Sequence, residues 1–227
     1  MTTLTTRTFD SRTAFDAAVE QRLGQALAAA GPSAVMLSGG TTPLPAYRAL
    51  GSRTLPHDER LHILFSDERY VPSDSEASNY HRARPLVDAL ALPQQQLLRV
   101  RTELPLEQAA QEYEQALATL LKSGIRITLG LLGLGADGHT ASLFSAADLA
   151  RASGRLAIPV QRPDGMSAVS VTPGLLAQVD VLLFLVAGGG KQKALQALEA
   201  HAASLTAWRA VQACPRVELW VHEAVQT

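Results

Sequence analysis

One cysteine, Cys214, stands among 227 residues, so no intrachain disulfide can form. No local motif surrounds Cys214, and it reads as a small buried hydrophobe, not as a nucleophile. Charge is also scarce: 18% of residues are charged against 47% apolar, and the formal net charge is −1. Such a chain can bury a real core and does not read as disordered. Its lysines and arginines are scattered, without the basic stripe that marks a nucleic-acid binder. Any anionic ligand must therefore be gripped by a local site. The longest apolar runs, such as Val181 to Ala187, are far too short to span a bilayer. Met1 to Asp10 carries neither an apolar signal core nor a small-residue cleavage site. These absences predict a cytoplasmic protein with neither a nucleic-acid nor a membrane partner. Internal repeats, low-complexity tracts and linkers are missing too, and the length suits a single domain over residues 1–227.

What is present is an alternation of helix-like and strand-like segments. Phe15, Val19, Leu23, Ala26 and Leu27 recur at helical spacing behind Asp10 or Ser11 as N-cap. Ala34 to Leu37 reads as a buried strand, followed by a glycine turn and a helix with Pro43 at its start and Tyr47 and Leu50 facing inward. Leu61 to Phe65 is the next strand. The polar stretch from Ser66 to Asn79 is too rich in charge and turn formers to be core. A helix follows from Ser78 to about Leu90, which Pro85 must bend or divide. Pro105 opens a longer helix through Leu106, Ala110, Tyr113, Leu117 and Leu120, and Gly124 stops it. Ile125 to Leu132, Leu156 to Val160, Ala168 to Thr172, Val181 to Ala187 and Val217 to Val221 are further strands, with helices expected near Thr140 and from Lys191. Continuous apolar strands alternating with helices predict a parallel sheet covered on both faces. Open α/β sheets bind ligands at the carboxyl ends of their strands.

Three glycine-rich turns follow strands, and each carries a different chemistry. In Ser38-Gly39-Gly40-Thr41-Thr42-Pro43, glycines let the backbone approach an anion and the hydroxyls add donors. An ordinary tight turn with a capping threonine reads as well. In Gly188-Gly189-Gly190-Lys191, a lysine opposes a helix dipole that favours negative charge, and a bound phosphate would remove the conflict. A solvated lysine is the bland alternative. Gly133 to Gly138 matches G-x-G-x-x-G, yet the acid that a dinucleotide site needs about 20 residues on is not evident. Asp137 and His139 suggest proton transfer there instead. His57, His81 and His201 stand in polar or helical settings that fit solvated side chains, whereas His62 and His222 flank apolar strands. A fourth constellation, Ser66-Asp67-Glu68-Arg69-Tyr70-Val71-Pro72 with Ser78-Asn79, is a charged surface loop by composition, although Arg69 could grip a carboxylate or phosphate bidentately.

These four segments, in this order, resemble the 6-phosphogluconolactonases, which share the fold of glucosamine-6-phosphate deaminases and ribose-5-phosphate isomerases. Gly133 to Phe144 is the most specific of them, and the resemblance runs from about Phe15 to about Ala197. It implies an α/β fold: a three-layer, Rossmann-like, mainly parallel sheet with helices on both faces. It also implies hydrolysis of 6-phosphogluconolactone in the oxidative pentose phosphate pathway, with no metal or organic cofactor. His139 matches the catalytic base, Asp137 the acid beside it and Arg69 an arginine near the substrate. Ser38, Gly39, Gly40 and Thr41, with Asp67 and Lys191, match the substrate-binding elements. Deaminases usually follow Asp-Gly-His with Ile-Ala-Phe-Asn-Glu-Pro, whereas Thr140 to Phe144 has the lactonase form. Three features depart from the family. The segment after Phe144 is short. Met166-Ser167 stand where an arginine is common, so Arg155 or Arg162 becomes the substitute. Glu223 stands where an aspartate is usual after Trp220.

Overall fold

The structure, a computed structural model, describes residues 2–222. Met1 and Glu223, named above, lie outside them. The chain opens with strand β1 (Thr3–Phe9) and helix α1 (Arg12–Leu27), then β2 (Ser33–Leu37), α2 (Leu44–Gly51), β3 (Leu61–Phe65) and a short β4 (Asp67–Arg69). Next come α3 (Asn79–Leu90), β5 (Leu97–Leu98), α4 (Leu106–Lys122), β6 (Arg126–Gly133) and α5 (Ala146–Arg151). The remainder holds β7 (Ala157–Gln161), β8 (Ser167–Val171), α6 (Pro173–Leu176), β9 (Leu182–Val186), α7 (Gln192–Glu199), α8 (Thr206–Val211) and β10 (Arg216–His222). Among the described residues, no helix is long and apolar enough to cross a membrane.

Seven strands pair in the order β1-β10-β9-β6-β2-β3-β5, every pair parallel. Successive side chains leave opposite faces of a strand. Along β9, Leu182, Phe184 and Val186 therefore enter one apolar cluster, and Leu183 and Leu185 the other. Helices α4, α7 and α8 close the first cluster, while α1, α2 and α3 close the second. Each buried leucine, isoleucine or phenylalanine contributes about 1.5–3 kcal/mol. The expected α1 face is the observed one: Phe15, Val19, Leu23, Ala26 and Leu27 are buried, and Ser11 caps the helix by accepting from the Ala14 N–H at 3.2 Å.

A second sheet, β4-β8-β7, is antiparallel and was not foreseen. Ser66 joins the two sheets, donating its N–H to Leu37 O at 2.8 Å and accepting from Val171 N at 2.9 Å. The polar stretch after β3 lies at the surface only in its middle, around Pro72 to Glu76, and its two ends turn inward. Ser66, Asp67, Glu68, Ser78 and Asn79 are all buried. Glu68 is satisfied at the start of α3, where four donors meet its carboxylate: the N–H groups of Arg69, Asn79 and Tyr80 at 2.7–2.9 Å and the Ser78 hydroxyl at 3.2 Å. A helix N-terminus offers unpaired N–H groups and favours negative charge. Two smaller expectations also change. Of the two outcomes expected at Pro85, a bend or a division, the division does not occur: α3 runs unbroken from Asn79 to Leu90. The helix expected near Thr140 begins at Ala146, where Ser145 and Asp148 form a reciprocal capping box. The Gly133 turn therefore leads into a second turn rather than a helix.

From β2 the chain builds outward through β3 to β5, and from β6 it builds the other way through β9. The loops after β2 and β6 therefore diverge, leaving a crevice at the carboxyl ends of adjacent strands. This is the switch point at which open α/β sheets bind ligands.

Candidate active site

A cavity of about 300 Å³ occupies this crevice. The turn after β2 forms one wall with Ser38, Gly39, Gly40 and Thr41. Asp67 and Arg69 of β4 and Asn79 of α3 form the next. His139 enters from the loop after β6, Lys191 from the loop after β9, and Arg162 from the β7–β8 hairpin. All the site residues expected from the sequence line the cavity except Asp137, which reaches it through His139.

His139 Nδ1 lies 2.5 Å from Asp137 Oδ1. The Asp137 side chain is 55% exposed and that of His139 27%. Burial pushes the Asp137 carboxyl up, but the hydrogen bond and charge of His139 outweigh it and hold the group below its usual range. Gly135 makes the pairing possible: a Cβ there would stand 2.1 Å from His139 Nδ1 and 2.5 Å from Asp137 Oδ1. The Gly135 and Gly138 N–H groups are consumed inside the loop, by His139 O at 2.9 Å and Gly135 O at 3.0 Å. By contrast, the N–H groups of Gly39, Gly40 and Thr41 make no backbone–backbone hydrogen bond among the described residues. The N–H groups of Gly189 and Gly190, in the turn after β9, are likewise absent from the backbone–backbone hydrogen bonds of the described residues.

Two buried tyrosines pin the strand ends that carry these loops. On one face, the Tyr47 hydroxyl accepts from Ser38 N at 3.1 Å and donates to Ser38 O at 2.8 Å. On the other, Tyr113 does the same to Phe65, at 3.0 and 2.5 Å. Burial pushes both phenols well above their ordinary value. Gly39 is required by close approach, since a Cβ would lie 1.9 Å from Asn79 Oδ1. Asn79 is buried, and its Nδ2 donates to Asp67 O at 2.9 Å. Asn79 was legible in the sequence only as part of a motif, because its role lies in a contact with a segment forty positions away.

Three cations converge on the cavity. Arg69 Nη1 donates to Ala77 O at 2.9 Å, while its buried Nε has no partner among the described residues. Burial pulls its guanidinium down, Asp67 opposes that, and Arg162 and Arg82 pull it further. Burial likewise pulls the Lys191 ammonium down. Arg162, 13% exposed, donates to Asp164 from Nη2 at 2.9 Å and to Ser142 Oγ from Nη1 at 3.4 Å. The Ser142 hydroxyl in turn donates to Asp67 at 2.7 Å. Of the two substitutes considered for the missing arginine, Arg162 stands in the cavity wall. Arg155 is spent elsewhere, gripping Glu114 bidentately at 2.6–2.9 Å. Among the described residues, no group of three or more His, Cys, Asp or Glu side chains is placed to hold a metal ion.

Cations crowd a sheet switch point beside a His–Asp pair in this α/β protein, an arrangement that has the chemistry to hold an anion and move a proton. The family model for glucosamine-6-phosphate isomerases/6-phosphogluconolactonase matches residues 10–218. A 6-phosphogluconolactonase of Synechocystis sp. is 39% identical over 183 residues, 78% of this chain and 75% of that one. One of Nostoc sp. is 34% identical over 211 residues, 89% of this chain and 87% of that one. The crystal structure of 6-phosphogluconolactonase from Thermotoga maritima superposes with a TM-score of 0.80 at 27% identity, covering 98% of this chain and all of the other. A monomeric glucosamine-6-phosphate deaminase shares the fold at a TM-score of 0.78 and 15% identity. The chain belongs to the glucosamine-6-phosphate isomerase/6-phosphogluconolactonase family.

Proposed function

We propose that this protein hydrolyses 6-phospho-D-glucono-1,5-lactone to 6-phospho-D-gluconate with His139 as general base. The observation that carries this reading is the 2.5 Å His139–Asp137 contact at the edge of a cavity walled by Arg69, Arg162 and Lys191. Curated relatives with the lactonase name support the substrate class. With Nδ1–H donating to Asp137, Nε2 is the basic nitrogen. The substrate phosphate docks at the Ser38–Thr41 turn, where N–H groups and Lys191 meet its charge. Nε2 takes a proton from water, and the oxygen attacks the lactone carbonyl carbon. The tetrahedral oxyanion is stabilised by cations and fixed donors. Collapse breaks the bond from that carbon to the ring oxygen, which receives the proton from His139. Asp137 orients the imidazole and stabilises its charged form. The site acts without a cofactor, and the cytoplasmic setting and single-domain organisation belong to this same reading.

The test is hydrolysis of freshly made lactone against a no-enzyme control, because lactones also open spontaneously. His139→Ala should lose ~10²–10⁴-fold in kcat and remain folded. Near-normal turnover by folded His139→Ala rules out the base assignment. Turnover of glucosamine 6-phosphate in place of the lactone moves the protein to the deaminase branch of the family.

A further inference from the structure

We propose that Phe144 is a positioning residue: its ring holds the His139 imidazole and the Arg162 guanidinium at a set separation, so that a substrate docked at the Ser38–Thr41 turn presents its reacting carbonyl between that cation and the base. The inference rests on His139 being the base, and it assigns a function to a side chain that touches neither water nor substrate in the scheme above. The Phe144 ring centroid lies 4.4 Å from that of His139, tilted by 41°. The Arg162 guanidinium carbon lies over the same ring at 5.3 Å.

The need for such a residue follows from what else holds the two groups. The hydrogen bond from Nδ1 to Asp137 fixes a distance but leaves the imidazole free to tilt about that contact. Asp137, more than half exposed, restrains the tilt poorly. A phenyl ring packed against the imidazole restricts that freedom. Arg162 is tethered at its other donors by Asp164 and Ser142, and a cation over an aromatic face is attracted by the ring quadrupole.

Phe144 can serve both because the chain folds it back. Leu143 N donates to Thr140 O at 3.0 Å, and Ala141 takes a φ of +49°, a conformation that L residues rarely adopt. This turn returns Phe144 to His139, five positions earlier. The far side is anchored as well. The Phe144 N–H donates to Asp148 Oδ2 at 3.1 Å, and the buried Asp148 is locked by the capping box with Ser145 and by Arg151 at 2.7 Å. The backbone that carries the ring is therefore fixed to the start of α5.

The experiment compares Phe144→Leu, Phe144→Tyr and wild type by three readouts. These are kcat and KM on the phosphorylated lactone, calorimetric affinity for 6-phosphogluconate, and the NMR shifts of the His139 ring protons. Phe144→Leu keeps an apolar side chain of similar reach but loses the ring. It should lower kcat roughly tenfold, as small misplacements of reacting groups do. It should also weaken 6-phosphogluconate binding and displace the His139 resonances. Phe144→Tyr keeps the ring and should hold kcat within about twofold of wild type. A folded Phe144→Leu with unchanged kcat and unmoved His139 resonances overturns the proposal. Should that variant not fold, Arg162→Gln reads the same link. It should move the His139 resonances and slow a lactone that lacks phosphate; unmoved resonances and a loss confined to the phosphorylated substrate overturn the link. The NMR readout stands apart from turnover. A wild type that leaves the lactone intact while Phe144→Leu moves His139 defeats the lactonase reading and not the positioning one.

Discussion

Replacing Gly39 with alanine tests how the phosphate turn is built. The added Cβ would stand 1.9, 2.2 and 2.5 Å from Oδ1, Cγ and Nδ2 of Asn79, so the amide must move. Asn79 has little room to do so, because it is buried at the first position of α3 and its Nδ2 donates to Asp67 O. Forcing an extra carbon into a packed site costs about 1–3 kcal/mol. Losing the Asn79–Asp67 hydrogen bond adds about 1 kcal/mol. All three clashing atoms lie beyond the Asn79 Cβ, so Asn79→Ala removes them. Gly39→Ala combined with Asn79→Ala should therefore be less damaging than the sum of the single changes, by about 1–3 kcal/mol of coupling. Urea denaturation of the four proteins measures this, with 6-phosphogluconate affinity following the geometry of the turn. Additive losses, or a Gly39→Ala protein as stable as wild type, would refute the close-approach argument.

Tyr47→Phe removes the hydroxyl that satisfies both Ser38 N–H and Ser38 C=O. It should cost about 1–3 kcal/mol in urea unfolding and raise KM, and an unchanged KM would detach Tyr47 from the turn. Burial pushes the Glu68 carboxyl up to about 7 from an ordinary 4.5, against the opposing N–H groups of Tyr80 and Asn79. The folded state then retains a proton that the unfolded state releases. The contribution of this group to stability is full below about 4.5 and is lost as pH rises through about 7. Glu68→Gln cannot titrate and should flatten that part of the stability–pH curve, whereas parallel curves for the two proteins would show that folding leaves the Glu68 carboxyl at its ordinary value.

How far the sequence alone reaches can be judged element by element. It determined α1, β2, β3, α4 and β9, since each buries one periodic face or a continuous apolar run against the sheet, and such patterns are local. It also marked His139, Asp137, Lys191 and the Ser38–Thr41 turn, because glycine turns after strands announce themselves. β1 passed unseen: its residues are mostly exposed and polar, and it is a strand because β10 supplies its hydrogen bonds. The buried ends of the stretch from Ser66 to Asn79 escape the sequence for a related reason. Their charges are buried because partners distant in sequence satisfy them: Ser142 for Asp67, and the first turn of α3 for Glu68. Likewise, nothing local distinguishes Arg162 from Arg155. Only the antiparallel pairing of β7 with β8 carries one into the cavity, while Glu114 of α4 claims the other. Periodicity and turn chemistry are properties of neighbours along the chain. The satisfaction of a buried charge is a property of neighbours in space, and the tertiary structure decided it.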